Sequence, residues 1–109
     1  MKTIDVASEF SRYPDGRVDA DGPFNGAAFR SKLLVPAIAA SLISREKVVV
    51  RFDGTRGVSS SFLDEAFGGL SRTEGFGSAD LAELLQLESE DSSIPAEIKE
   101  YILEGVAVA

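Results

Sequence analysis

Residues 47–53 are extended and two-sided: Val48, Val50 and Phe52 fall on one side of the chain, and Lys47, Val49, Arg51 and Asp53 on the other. One side is set for burial and the other is at least partly wet. That pattern predicts a sheet with its helices gathered on one face, not a doubly wound sheet covered on both. The strand runs into Gly54-Thr55-Arg56-Gly57, a tight loop, and then into Ser59-Ser60-Ser61. Beyond the serines, Phe62, Leu63, Ala66, Phe67 and Leu70 recur at helical spacing. Asp64 lies in capping-box register with Ser61, so Ser61 is the expected N-cap, and Gly68-Gly69 is the expected end of the helix.

The flanking segments are organised around this unit. Tyr13-Pro14-Asp15-Gly16 has the composition of a turn, which predicts an N-terminal β-hairpin with strands near 3–12 and 17–20. Asn25 stands as an N-cap ahead of Phe29, Leu33, Leu34, Ile38 and Leu42, predicting a first helix over 25–44 with a kink or break at Val35, because Pro36 removes a backbone donor. Residues 71–77 show no periodicity and predict a mobile surface loop. Ser78 begins a short helix through Glu83, and residues 85–90 alternate as a strand, with a longer helix through Leu87 as the competitor. Ser93 caps a terminal helix, Pro95 takes its first turn, and Ile94, Ile98, Tyr101 and Ile102 line one face. With 109 residues and no linker or repeat, the chain is one domain, 1–109, long enough to bury a core unaided.

Composition narrows the chemistry. The chain has no Cys and no His, which excludes thiol nucleophiles, Cys/His zinc sites, histidine base catalysis and the Ser-His-Asp triad. Binding without turnover is therefore expected, with no catalytic residue, no metal and no cofactor. The N-terminus lacks the pattern of a secretory signal, so export is not expected, and the apolar run 33–43 is shorter than the ~20 residues of a membrane crossing, so a core helix is expected there. Charge is unevenly placed. Residues 1–72 are nearly neutral, whereas residues 73–109 hold nine acids and only Lys99 as a base. That field disfavours nucleic acid and anionic membranes within about 8 Å at physiological salt, and would attract a basic partner.

The stretch 48–70 places hydroxyls at a helix N-terminus, where free N–H groups and the helix dipole stabilise an anion by ~0.3 to 2 kcal/mol. A phosphoryl group on a serine there would change the local charge by about −1.5 to −2, enough to make or break a partner contact. Ser61 has a capping role to fill; Ser59 and Ser60 have none. Other constellations are weaker. Gly54 and Gly57 form no phosphate-binding P-loop, since no Gly-Lys-Ser/Thr follows. Asp53 at a strand end lacks the acidic pair of a phospho-accepting receiver. Asp64 and Glu65 are adjacent on a helix and point about 100° apart, complementing its dipole and not flanking a substrate. Arg12, Arg17, Arg30, Arg51 and Arg56 could gather into an anion site if the fold brings them together.

The strand, loop and helix, together with YPDGRVDADGPFNGAAFRSKLLVPAI at 13–38, resemble the STAS-like domains of unknown function, relatives of bacterial anti-sigma factor antagonists. The resemblance runs from Tyr13 to about Leu70 and continues more weakly through the terminal helix. It implies a small α/β domain, a mixed sheet with helices packed mainly on one face, and a cytoplasmic regulatory role. It further implies docking on a switch protein, typically a kinase of the GHKL ATPase type, through the surface around the second helix. Ser61 falls at the regulatory serine of the antagonists' Asp-Ser-Ser-Gly-Leu type motif, with Ser60 beside it, while Ser59 replaces the acid and Phe62 the glycine. Leu63 keeps the motif's leucine. The candidate contact or phosphorylation residues are thus Asp53, Gly54, Arg56, Gly57, Ser59, Ser60, Ser61, Leu63 and Glu65. The function expected is a non-catalytic protein-interaction domain; the alternative is a nucleotide- or small-anion-sensing domain using the same helix N-terminus.

Overall fold

The computed structural model describes the backbone of residues 1–108 and the side chains of residues 1–107. Three strands, β1 (Lys2–Asp5), β2 (Val48–Arg51) and β3 (Leu85–Glu88), form a sheet in the order β1-β2-β3. Both pairings are parallel, with Ile4 opposite Val50 and Val50 opposite Leu87. Parallel neighbours need long crossovers, and helices supply them here. After β1 come α1 (Val6–Glu9) and α2 (Gly26–Ser44); after β2 come α3 (residues 60–72) and α4 (Ser78–Leu84); α5 (Ser93–Val108) follows β3.

The α/β class and the one-sided arrangement of helices stand. Ile4, Val48, Val50 and Phe52 join Phe29, Leu34, Ile38, Phe62, Phe67, Leu70 and Ile98 in one core. The opposite face carries Asp5, Arg51, Gln86 and Glu88, with Arg51 Nε bonded to Glu88 Oε1 at 2.7 Å. Val49 is buried although it faces that side, between its cross-strand neighbours Thr3 and Gln86. In the core, Phe29 touches both Phe62 and Phe67, with ring centroids 5.6 and 6.1 Å apart, and Phe67 reaches Phe52 at 6.0 Å. Each such fully buried side chain contributes about 1.5–3 kcal/mol.

The N-terminal hairpin does not form, and this is why the described strands are all parallel. Asp5 ends β1 because its carboxylate accepts the Ser8 N–H at 3.1 Å and caps α1, while Glu9 accepts the Asp5 N–H at 2.6 Å. Residues 17–20 are not a strand; Asp19–Asp21 form a 3₁₀ turn, and the chain is tied back by Gly26 N–H to Gly16 O and Ala27 N–H to Arg17 O.

Helix α2 passes Pro36 without a break. The turn Arg30–Leu34 is a π turn, with Val35 N–H bonded to Arg30 O. This wider turn takes up the missing proline donor and the crowding of the carbonyl four residues back. A second π turn, Asp64–Gly68, lies in α3. Gly68 and Gly69 do not end α3, which continues to Arg72, so Ser71 and Arg72 are helical and not part of a loop. Both glycines mark close approach: a Cβ on Gly68 would lie 3.2 Å from the Tyr101 carbonyl of α5, and one on Gly69 would strike Arg30. Ser71 is buried and its hydroxyl donates to Ile102 O at 2.7 Å, locking α3 to α5.

Candidate functional site

The end of β2, the loop after it and the first turn of α3 meet the start of α5. The helix begins earlier than its capping-box register implies: Ser59, not Ser61, is the N-cap, accepting Phe62 N–H at 3.2 Å. The shift follows from burial, because Phe62 and Leu63 are both fully buried and must already be helical to share a face with Ala66, Phe67 and Leu70. Leu63 is therefore a core residue and presents nothing to a partner. Ser59 and Ser61 are half-buried with their hydroxyls 3.2 Å apart, whereas Ser60 is exposed and donates to Glu97 Oε1 at 2.6 Å. The Tyr101 hydroxyl donates to the same oxygen at 2.9 Å.

The loop ahead of the serines is held at three points. Asp53 accepts the Glu90 N–H at 3.0 Å, Thr55 N–H returns to Phe52 O at 3.0 Å, and Arg56 N–H reaches Arg12 O at 2.7 Å. Gly54 and Gly57 have φ of 92° and 61°, the left-handed region in which a side chain is strained, so the glycines are what the turn requires. Asp53, Gly54, Arg56, Gly57 and Ser60 are all exposed on this rim. Beside it opens a hollow of about 340 Å³ lined by Asp53, Gly54, Thr55, Asp91, Ser93 and Glu97 among others. Its carboxylates oppose an anion; Asp91 is itself held below the usual carboxylate range by the Ser93 hydroxyl and N–H. Ser93 is the first residue of α5 and not its cap, and its N–H is bonded to Asp91 Oδ1 at 3.0 Å just ahead of the helix.

The remaining candidates are dispersed. Glu65 does not stand free: its carboxylate takes the guanidinium of buried Arg30 at 2.8 Å, and Arg30 Nε pairs with Glu74 at 3.0 Å. Arg30 also donates to the Glu65 carbonyl, so the two π turns are joined side by side. Arg17 pairs with Asp64, and Arg51 with Glu88. The arginine anion site is thus not assembled, since three of its five members are committed to separate acids. Sequence spacing gave no sign of Glu97, which lies 37 residues beyond Ser60. Among the described residues no group of acidic side chains is arranged to hold a metal.

Residues 25–95 match the family described as a STAS-like domain of unknown function (DUF4325). The chain belongs to that family. The matched span takes in α2, β2, α3, α4 and β3, so this STAS-like domain has the whole strand–loop–serine–helix unit inside the family's bounds. No curated protein and no solved structure matches the chain significantly.

Proposed function

We propose that this STAS-like domain is a non-catalytic regulatory module that docks a protein partner through the rim formed by residues 53–60 and the start of α3. The observation that carries the reading is Ser60: of the three clustered serines it alone is exposed, and it stands at the seam between the loop and α5. Modification there would set a phosphoryl group of about −1.5 to −2 against Glu97 and alter that seam by repulsion. Arg56, exposed on the same rim, makes no ion pair among the described residues and is available to an acidic group on a partner. The partner class implied by the resemblance is a GHKL-type kinase or ATPase. The hollow's carboxylates count against the anion-sensing alternative.

The test is affinity capture from the source cell with wild type, Arg56→Glu and Ser60→Asp, each first shown to unfold cooperatively. The expected result is a partner recovered with wild type and depleted with both variants, and an intact-mass increase of one phosphoryl group that Ser60→Ala abolishes. Identical partner sets from all three proteins would refute the docking surface.

A further inference from the structure

The two edges of the sheet end differently. On β1 the outward N–H of Asp5 is bonded to Glu9 at 2.6 Å. On β3 the Phe52 N–H donates to Glu88 O at 2.9 Å, so Glu88 and, two residues back, Gln86 turn their main-chain groups toward β2. Leu85 and Leu87 turn theirs away from it. The Leu85 N–H closes α4 on Leu81 O, whereas the Leu85 C=O and both main-chain groups of Leu87 have no hydrogen-bond partner among the described residues. β3 also carries neither proline nor lysine, residues that commonly blunt such an edge. It is a template for another strand.

The apolar layer under the sheet continues past this edge. Leu85 and Leu87 stand opposite Val48 and Val50 and share their face, yet they are half-buried where the valines are fully buried. Beside them lies a hollow of about 370 Å³ between α4 and α5, walled by Leu81, Leu85, Leu87, Ile102 and Leu103. Leu103 is 63% exposed. Lys99 is the one charged residue in the lining, and it makes no ion pair among the described residues. The acids of α4 are turned elsewhere: Asp80 and Glu83 both hold Arg45, at 3.6 and 2.7 Å. Glu100 follows Lys99 in sequence but points about 100° further round the helix.

We infer that β3 takes a fourth strand from a protein partner, an extended segment whose alternate apolar side chains fill the hollow and whose carboxylate meets Lys99. Main-chain bonds to Leu85 and Leu87 supply the attachment, and the hollow with its single cation selects the sequence. A second copy of this chain is a poor occupant. Two β3 edges paired about a twofold axis would join two hollows whose only lining charge is the same cation. The surface shares no residue with the rim at residues 53–60, so it is tested independently of docking there.

The test is fluorescence anisotropy of the intact chain with a labelled synthetic peptide that alternates leucine and threonine and carries one aspartate. The expected result is saturable binding that Lys99→Glu weakens about tenfold, while a peptide with lysine in place of the aspartate prefers the variant by a similar factor. Methylating the peptide amides at every second residue abolishes binding in one phase and spares it in the other, because only one set of N–H groups faces β3. In the complex the Leu87 amide exchanges more slowly with deuterium. No binding of the aspartate peptide, the same response to both methylated peptides, unchanged Leu87 exchange, or a peptide preference that Lys99→Glu leaves unaltered would each overturn the inference. Laurate that binds in a Lys99-dependent way where the peptide does not would also overturn it, assigning the hollow to a fatty acid, as would a wild-type dimer that itself protects Leu87. The methylated pair and the exchange measurement use wild type alone, so they decide the matter even if Lys99→Glu fails to fold.

Discussion

Ser60 Oγ lies 2.6 Å from Glu97 Oε1, joining the first turn of α3 to α5, and Tyr101 donates to the same oxygen. Aspartate at position 60 would replace this donor with a like charge. Ser60→Asp is expected to lower stability by less than about 1 kcal/mol, because the positive end of α3 offsets part of the repulsion from Glu97, and Glu97→Gln in the same chain should relieve that repulsion. Thermal unfolding of the four proteins of this double-mutant cycle measures the coupling; additive changes would show that residues 60 and 97 do not interact.

Glu65 responds differently because it is tied to the interior. The side chain of Arg30 is 9% exposed and that of Glu65 18%, so Glu65→Arg would face one cation with another where little water can screen them. The expected cost is about 3 kcal/mol, the lower end for a broken buried pair, because Glu74 still faces Arg30. Glu65→Gln, which keeps an acceptor, should cost about 1 kcal/mol. Urea unfolding checks both, and a Glu65→Arg protein as stable as wild type would remove Arg30 from its place as the link between α2 and α3.

These two residues also show what the sequence could and could not reveal. The helical face of Phe62, Leu63, Ala66, Phe67 and Leu70 and the alternation of Val48, Val50 and Phe52 are local patterns, and all of these residues lie in the core. The capping-box register puts the start of α3 two residues late, because Ser59, Ser60 and Ser61 are chemically equivalent caps and only the burial of Phe62 chooses among them. The partner of β1 is 46 residues away, Lys2 opposite Val48, and no local signal competes with a nearby turn such as Tyr13-Pro14-Asp15-Gly16. The same limit hides Glu97 from Ser60: helix and strand periods give directions within an element, not which elements meet.

Gly105 tests how closely α5 packs on α3. Alanine would gain about 1 kcal/mol of helix propensity. Against this, its Cβ would collide with the Ser71 hydroxyl and lie 2.7 Å from the Gly68 carbonyl, a backbone group that cannot swing aside. Overpacking of this kind costs about 1–3 kcal/mol, so Gly105→Ala should be destabilising overall. Ala107→Gly, on the exposed side of the last turn of α5, should lose less than the roughly 1 kcal/mol propensity difference of a helix interior. A stabilised Gly105→Ala protein, read by its Tm, would mean that the two helices can separate at little cost.

Acid should weaken the fold through Asp64, which accepts Arg17 Nη1 at 2.7 Å and Arg72 Nη1 at 3.2 Å. Partial burial by itself would raise its pKa, but the two guanidinium bonds outweigh burial and hold the carboxyl below its ordinary value of 3.8. Asp21 is lowered in the same direction by the N–H groups of Arg17 and Val18. A folded pKa below the unfolded one means that the unfolded chain takes up the proton first as pH falls. The stabilisation is therefore complete above the unfolded value and is lost as pH drops through the folded one. The Tm of wild type should be level from neutrality to about pH 5 and decline below it. Asp64→Asn should start lower at neutral pH and decline less steeply, so that the two curves converge in acid; curves that stay parallel would show that the Arg17–Asp64–Arg72 cluster contributes nothing to the acid limb.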